Sequence, residues 1–112
     1  MYQRIDKINA LLRQEISLIV AQEISDPRVS FTVSVVNVET SRDLGVARVY
    51  VTVLGDLEHK RKALEGLNSA SNFIRRLLRK KINLKKIPSV EFLDDNSIEE
   101  GAILSKKIDD LF

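Results

Sequence analysis

The side chains best suited to chemistry in this sequence are positively charged and close together. Lys or Arg fills seven of the twelve positions from Arg75 to Lys86, and none of the twelve is acidic. Both residue types bind phosphate through charge and N–H donation, and Arg can do so with two parallel donors. We therefore predict a phosphate-binding segment whose contacts are the basic residues of this stretch: Arg75, Arg76, Arg79, Lys80, Lys81, Lys85 and Lys86.

Small residues precede this basic stretch, in the order Ser69, Ala70, Ser71, Asn72. Ser and Asn have weak helix propensity and often cap helices, so we predict that two helices meet here at a bend. Asn72 is the residue best able to adopt an unusual backbone angle. A helix that begins at the bend presents free backbone N–H groups to a phosphate, so Ser71 and Asn72 join the predicted site.

Acidic residues follow the basic stretch, at Asp94, Asp95, Glu99 and Glu100. They could form a metal or acid–base site, but Asp and Glu near a helix start are more simply explained by capping and the helix dipole. The chain has no Cys and a single His, and its glycines form no phosphate-binding loop. We therefore expect a protein that is not an enzyme, with no catalytic residue, metal, cofactor or small-molecule substrate.

The positive charge is confined to one segment of a nearly neutral chain. The formal net charge is +2, yet residues 66–90 carry seven basic groups and no acid, and residues 91–112 carry seven acids and two bases. A surface that only confers solubility normally mixes the two signs, so this block favours a polyanionic partner. Because only six of the 112 residues are Phe or Tyr, we expect recognition of a nucleic-acid backbone rather than base stacking on aromatic rings.

The spacing of apolar residues predicts the helices and strands that position these charges. A first helix is predicted over Tyr2–Ile24, with Leu11, Leu18 and Val20 widening its apolar stripe so that the helix is substantially buried. Pro27 then ends it. Three basic residues on this helix and on the hairpin turn described next are secondary candidates for the same phosphate site: Arg4, Lys7 and Arg42.

Alternating apolar residues predict two strands, over Val29–Glu39 and Val46–Leu54, which form an antiparallel hairpin. The alternation slips at Val35 and Val36, which indicates a β-bulge. After the two-helix segment a third strand is predicted over Ser89–Leu93, and a short helix after Ser97. This order predicts an α+β domain with a three-stranded sheet covered by helices on one side. We expect one domain, with a core of residues 1–95 and a C-terminal helix or tail over residues 96–112.

The sequence also bears on location and assembly. Neither an apolar signal region nor a run of about 18 apolar residues is present. Together with the lack of Cys, this leads us to expect a cytoplasmic protein that does not enter a membrane. One core accounts for the apolar stripes, so we expect a monomer.

Three stretches of the chain resemble the ribosome-binding factor A family. The hairpin sequence VSVVNVETSRDLGVARVYVTVLGD, residues 33–56, resembles that family's hairpin signature. EISDPR, residues 23–28, is similar to the end of its first helix, and residues 69–101 are similar to its kinked helix pair, third strand and tail. The resemblance implies a type II KH-like fold in which a helix–kink–helix replaces the glycine loop of ordinary KH domains.

The same resemblance implies a function. Members of the family bind free 30S ribosomal subunits through ribosomal RNA and assist late assembly and 16S rRNA processing, without catalysis or a cofactor. The family's kink carries Ala, any residue and Gly, which fall here on Ala70, Ser71 and Asn72. Asn in place of Gly is a departure that left-handed geometry tolerates at some cost, so the kink is expected to persist.

Two other functions remain open from the residues themselves. Two helices at a bend could act as a helix-turn-helix in a DNA-binding regulator, although the unbroken apolar stripe of the second helix is unfavourable to this. Alternatively, the acidic C-terminal end, from Glu91 to Asp110, could serve a protein–protein adaptor.

Overall fold

The computed structural model describes residues 4–29 and 33–95. Within these residues the chain forms three helices and three strands, in the order α1 (Arg4–Gln22), β1 (Val33–Thr40), β2 (Val46–Val53), α2 (Leu57–Ser69), α3 (Ser71–Lys81) and β3 (Ser89–Asp94). The α+β class, the hairpin, the helix pair and the third strand are thereby confirmed. The short helix predicted after Ser97 lies outside the described residues.

The three strands form one sheet in the order β1-β2-β3. β1 and β2 are antiparallel, and the register shifts between Val35 and Asn37, which leaves Val36 as the predicted bulge. β3 is parallel to β2. A parallel pair needs a long crossover, and here α2 and α3 supply it.

Among the described elements, the helices pack on one face of the sheet and leave the other face, here called the open face, without a helix. Along β2 the buried residues alternate with Arg48, Tyr50 and Thr52, which are exposed or half-buried. α1 packs on β1, while α2 and α3 pack on β3. The largest fully buried side chains, which include Phe92, Leu12 and Ile16, fill the space between these layers.

Two expectations about burial and strand length were wrong. Val20 is buried as expected, but Leu11 and Leu18 of α1 are 36% and 42% exposed, because a helix on one face of a sheet buries one stripe and leaves its flanks in solvent. Val29 is buried but precedes β1, since its N–H donates to the Asp26 carbonyl in a turn rather than to a neighbouring strand. The described part of β1 begins at Val33, and α1 ends at Gln22 rather than at the predicted Ile24. Residues 1–3 and 30–32 lie outside the described residues.

Candidate nucleic-acid interface

The junction of α2 and α3 lies at Ala70, within the bend predicted over Ser69–Asn72. Ala70 has φ −89° and ψ 1°, which ends α2 and allows α3 to begin at Ser71. Asn72 is therefore an ordinary helical residue, and the expectation that it takes an unusual backbone angle was wrong. Among the described non-glycine residues, positive φ occurs at Leu44 instead. Because Ala70 stays in the right-handed region, this break needs no glycine.

Near this junction, the end of α2 packs closely against the turn that follows α1. A Cβ placed on Gly66 of α2 would lie 2.8 Å from a methyl carbon of Val29, which is closer than side-chain atoms pack. Gly66 therefore lets the end of α2 rest on the turn that follows α1. The small residue that matters for packing at this corner is Gly66, which the sequence pattern did not single out.

Two side chains fix the direction of α3 along the sheet. Asn68, at the end of α2, accepts from the Phe92 N–H at 2.8 Å and donates to the Phe92 carbonyl at 3.2 Å. Further along, Arg75 donates from Nε and Nη2 to the Ile87 carbonyl at 3.0 and 2.8 Å. α3 therefore runs antiparallel to β3, and its last turn lies beyond the first residue of that strand.

Arg75 consequently differs from the other basic residues of α3. Its side chain is half-buried and is engaged by the loop before β3, whereas Arg76, Arg79, Lys80 and Lys81 lie along the rest of the helix. The sequence placed Arg75 and Arg76 together as phosphate contacts. The structure gives Arg75 a role in holding the 82–88 loop, and no such bond to that loop is made by Arg76 in the described part of the chain.

The hairpin turn lies at the same end of the sheet as the last turn of α3. Ser89 at the start of β3 donates from its backbone N–H to the Gly45 carbonyl at 3.0 Å. Lys86 Nζ lies 3.3 Å from the Asp43 carbonyl of that turn. The 82–88 loop thus carries Lys85 and Lys86 directly to the hairpin.

The start of α1 reaches this end as well. Asn9 accepts from the Thr40 backbone N–H at 3.0 Å, which sets the first turns of α1 beside the end of β1. Arg4 and Arg42 line one cavity together. Four segments thus converge, and we call their cations the basic end: Arg4, Lys7, Arg42, Arg79, Lys80, Lys81, Lys85 and Lys86.

The hairpin turn is held by its own polar side chains. Asp43 Oδ1 accepts from Ser41 Oγ at 2.7 Å and from the Gly45 N–H at 2.9 Å. The Ser41 hydroxyl, more than any other neighbour, holds the pKa of Asp43 below its usual value. These bonds order the turn that carries Arg42, and they engage the carboxylate of Asp43, which lies near the basic end.

The opposite end of the sheet has a different charge. A carboxylate-rich group surrounds the ends of β2 and β3 and the α2–α3 junction, and we call it the acidic end: Glu23, Asp26, Asp56, Glu58, Glu65, Asp94 and Asp95. A cavity of about 300 Å³ at the junction is lined by Glu23, Asp26, Ala70 and Phe73, among others. Ser71 and Asn72 therefore lie next to carboxylates rather than among the cations.

Ion pairs reduce part of this negative charge. Arg28 Nη2 lies 2.7 Å from Asp26 Oδ2, and this hydrogen-bonded partner lowers the pKa of Asp26. On α2, Arg61 pairs with Glu58 and Glu65. Because Arg79 is the first cation of the basic end on α3, about 13 Å of helix separates that end from the junction at Ala70.

The open face of the sheet mixes both signs. Arg48 stands between Glu39 and Glu91 in the cross-strand register. Beside them, burial raises the pKa of Tyr50, with the charge of Glu39 adding to the effect. A mixed row of this kind gives no continuous positive field, so the basic end is the stronger candidate for a polyanion.

Neither a metal cluster nor a membrane span accompanies these charges in the described residues. No group of three or more His, Cys, Asp or Glu side chains close enough to hold a metal occurs in residues 4–29 and 33–95. No helix in the described part of the chain is long and apolar enough to cross a membrane.

The order of elements, the single covered face of the sheet and the clustered cations define a KH-like α+β domain with a basic surface at one end. The chain belongs to the ribosome-binding factor A family, whose profile matches residues 4–108. It is 43% identical over 108 residues to ribosome-binding factor A of Acetivibrio thermocellus, covering 96% of this chain and 88% of that protein.

Solved structures agree with this assignment. The crystal structure of ribosome-binding factor A from Thermus thermophilus superposes with a TM-score of 0.73 at 26% identity, covering 84% of this chain and 99% of that one. A homology model of the Thermus thermophilus factor, fitted into a cryo-EM map of a 30S complex, gives a TM-score of 0.63 at 29% identity, covering 76% and 88% of the two chains.

Proposed function

We propose that this protein binds the 30S ribosomal subunit through its ribosomal RNA and assists late subunit assembly and 16S rRNA processing. The observation that carries the proposal is the convergence of cations from four separate segments at the basic end. Family membership supports it, as does the relative that was fitted into the map of a 30S complex.

The exposed cations act as phosphate contacts in this proposal. Each Lys or Arg that neutralises a phosphate releases condensed counterions, so binding is strong at low salt and falls steeply as salt rises. Phosphate contacts position a protein on RNA without reading its sequence. The basic end therefore recognises the spatial arrangement of phosphates on a folded RNA, and Arg76 extends that surface along α3.

The first turn of α3 has a secondary place in the proposal. Ala70 supplies no side-chain cap, so backbone N–H groups at Ser71 and Asn72 are available to a phosphate. The nearby carboxylates of Glu23 and Asp26 oppose a phosphate there. We therefore rank this contact below those of the basic end.

Such a protein needs no catalytic group or cofactor to promote maturation. A ligand that binds one RNA conformation more tightly than another shifts the population toward the first by its difference in affinity. The factor thus favours one arrangement of the immature subunit and leaves when the mature arrangement no longer fits. It acts in this way as a cytoplasmic monomer.

Gradient sedimentation of a cell lysate tests the proposal. The protein should travel with free 30S subunits, should leave that fraction after ribonuclease treatment, and should run near the mass of one chain when purified. A partner that survives ribonuclease would favour the adaptor function, and tighter binding to duplex DNA than to ribosomal RNA would favour the DNA-binding regulator.

A further inference from the structure

A cavity of about 540 Å³ opens at the basic end, between the start of α1 and the hairpin turn. Its lining combines two arginines, Arg4 and Arg42, with three aliphatic side chains, Ile5, Ile8 and Leu44. The volume lies within the range of about 300–1,000 Å³ that is typical of small-ligand sites. A phosphate would contact the two arginines, but the aliphatic part of the lining would contribute nothing to its binding.

Leu44, one of the aliphatic residues that line the cavity, has an unusual backbone conformation. Its φ is 59°, in the left-handed region that Asn and Gly adopt with less strain. The turn around it is fixed by the bonds from Ser41 and Gly45 to Asp43. Backbone strain of this kind is concentrated at functional sites, and here it keeps an apolar side chain at the cavity wall.

We propose that this cavity takes one unstacked nucleotide of single-stranded RNA. The base lies against Ile5 and Leu44 and under a guanidinium plane, and the adjoining phosphate pairs with Arg4 or Arg42. Arg stacks on flat π systems as well as binding phosphate, so two arginines beside an aliphatic wall suit both parts of a nucleotide. A duplex cannot fill the cavity because its bases remain stacked and paired.

This inference rests on the proposed RNA-binding function and adds a preference for single strands. It also differs in kind from the rest of the basic end, where binding depends on charge alone. The aliphatic wall of the cavity should contribute affinity that does not depend on salt, in addition to the salt-dependent phosphate contact of its arginines. That property separates it from the neighbouring cations.

Leu44→Asn tests the proposal without changing charge. Asn favours left-handed geometry, so the turn is retained while the apolar wall is lost. Affinity for a short single-stranded RNA should fall about fivefold or more, as expected when a base loses the apolar contact of a Leu side chain. Affinity for the corresponding duplex should change by less than about twofold, and the salt slope should stay as in the parent.

Two variants that remove a charge serve as comparisons for Leu44→Asn. Lys85→Gln, at the same end but outside the cavity lining, should weaken both RNAs alike and make the slope of log affinity against log salt shallower by about 0.7–0.9. Arg42→Gln should change the slope by the same amount and weaken the single strand more than the duplex. Since Arg42 is exposed, this variant keeps the test valid if Leu44→Asn does not fold.

Methyl NMR spectra provide a direct measurement. Titration with a nucleoside monophosphate should shift the methyl signals of Ile5, Ile8 and Leu44 to saturation, whereas ribose 5-phosphate should not. Absence of these shifts, or equal loss of both RNAs in Leu44→Asn and Arg42→Gln, overturns the cavity assignment. If the parent still sediments with 30S subunits, only the cavity is rejected; if the parent binds neither RNA nor subunits, the proposed function falls as well.

Discussion

The two ends of the sheet are built from the same kinds of element and carry opposite charges. At the basic end a hairpin turn, a helix start, a helix end and a loop bring together eight cations, with the carboxylates of Asp6, Glu39 and Asp43 nearby. At the acidic end a turn, a helix junction and two strand ends carry seven carboxylates, some of them paired with Arg28 or Arg61. One end therefore attracts a polyanion and the other repels it.

This difference orients the protein on its proposed partner. A field of opposite signs at the two ends steers a charged partner to one end before contact is made. The formal net charge of +2 does not reveal this, because it averages over both ends. The α2–α3 junction belongs to the acidic end, so its role and that of the cations can be separated by substitution.

The largest expected loss of stability comes from a substitution in the hydrophobic core, which lies between the two ends. Ile16 of α1 is fully buried, and Ile16→Ala should lower the free energy of unfolding by about 2–5 kcal/mol. Leu18→Ala, two positions on and 42% exposed, should cost less than about 1 kcal/mol. Urea unfolding gives both values. RNA affinity per folded molecule should be unchanged, and a stable Ile16→Ala variant that no longer binds RNA would place the RNA contact at the middle of α1 rather than at its start.

The next largest loss of stability is expected at the α2–α3 junction, and it tests whether the acidic end supports the fold without binding RNA. Asn68→Ala removes both bonds to the Phe92 backbone and should destabilise the fold by about 1–2 kcal/mol. Ser69→Ala, an exposed neighbour, should stay within about 0.5 kcal/mol of the parent. Denaturant midpoints measure both. Loss of RNA binding in folded Asn68→Ala would place the junction, rather than the basic end, at the centre of the interface.

A smaller effect separates two adjacent arginines. Arg75→Gln loses the bonds to the Ile87 carbonyl and should cost about 1 kcal/mol of stability, and Arg76→Gln should cost less than about 0.5 kcal/mol. The order should reverse for RNA, where Arg76→Gln makes the salt slope shallower by about 0.7–0.9. If the salt slope of Arg75→Gln were as shallow as that of Arg76→Gln, Arg75 would also contact a phosphate, and the two arginines would not differ in function.

The smallest expected change in the free energy of unfolding is that of Asn72→Ala, and its sign is what tests the structure. Asn72 is helical, so Asn72→Ala should stabilise the protein by up to about 0.5 kcal/mol through better helix propensity. A left-handed residue at this position would instead be destabilised by Ala. Thermal unfolding of parent and variant decides between the two signs, and a lower midpoint for Asn72→Ala would restore the kink to that residue.

Much of the fold was predictable because local patterns determine it. Alternation of apolar residues indicated the hairpin, and its slip indicated the bulge at Val36. Helical periodicity indicated α1 and the α2–α3 pair, and the small residues Ser69–Asn72 indicated their junction, although the unusual backbone angle was wrongly assigned to Asn72. That error arose because residue type indicates which positions tolerate left-handed geometry, whereas a break at Ala70 requires none.

The candidate site was less predictable because it depends on contacts between distant parts of the chain. Arg75 and Arg76 look alike in sequence, and only the position of the Ile87 carbonyl separates them. Arg4 and Arg42 were named as secondary candidates, but their shared cavity depends on how α1 lies over the hairpin. The strained Leu44 left no sequence signal, since Leu is not a residue expected at positive φ.

The most direct test compares two matched triple variants, one at each end. Arg79, Lys80 and Lys81 are consecutive cations of α3, and Lys60, Arg61 and Lys62 are consecutive cations of α2; each set is replaced by Gln, and circular dichroism checks folding. Binding to 30S subunits is then measured over a range of salt concentrations. We expect the α3 variant to lose affinity and to have a slope shallower by about 2–3, since about 0.7–0.9 is lost per phosphate contact, while the α2 variant keeps the parent's slope. Equal slopes for the two folded variants would contradict the assignment of the basic end as the RNA-binding surface.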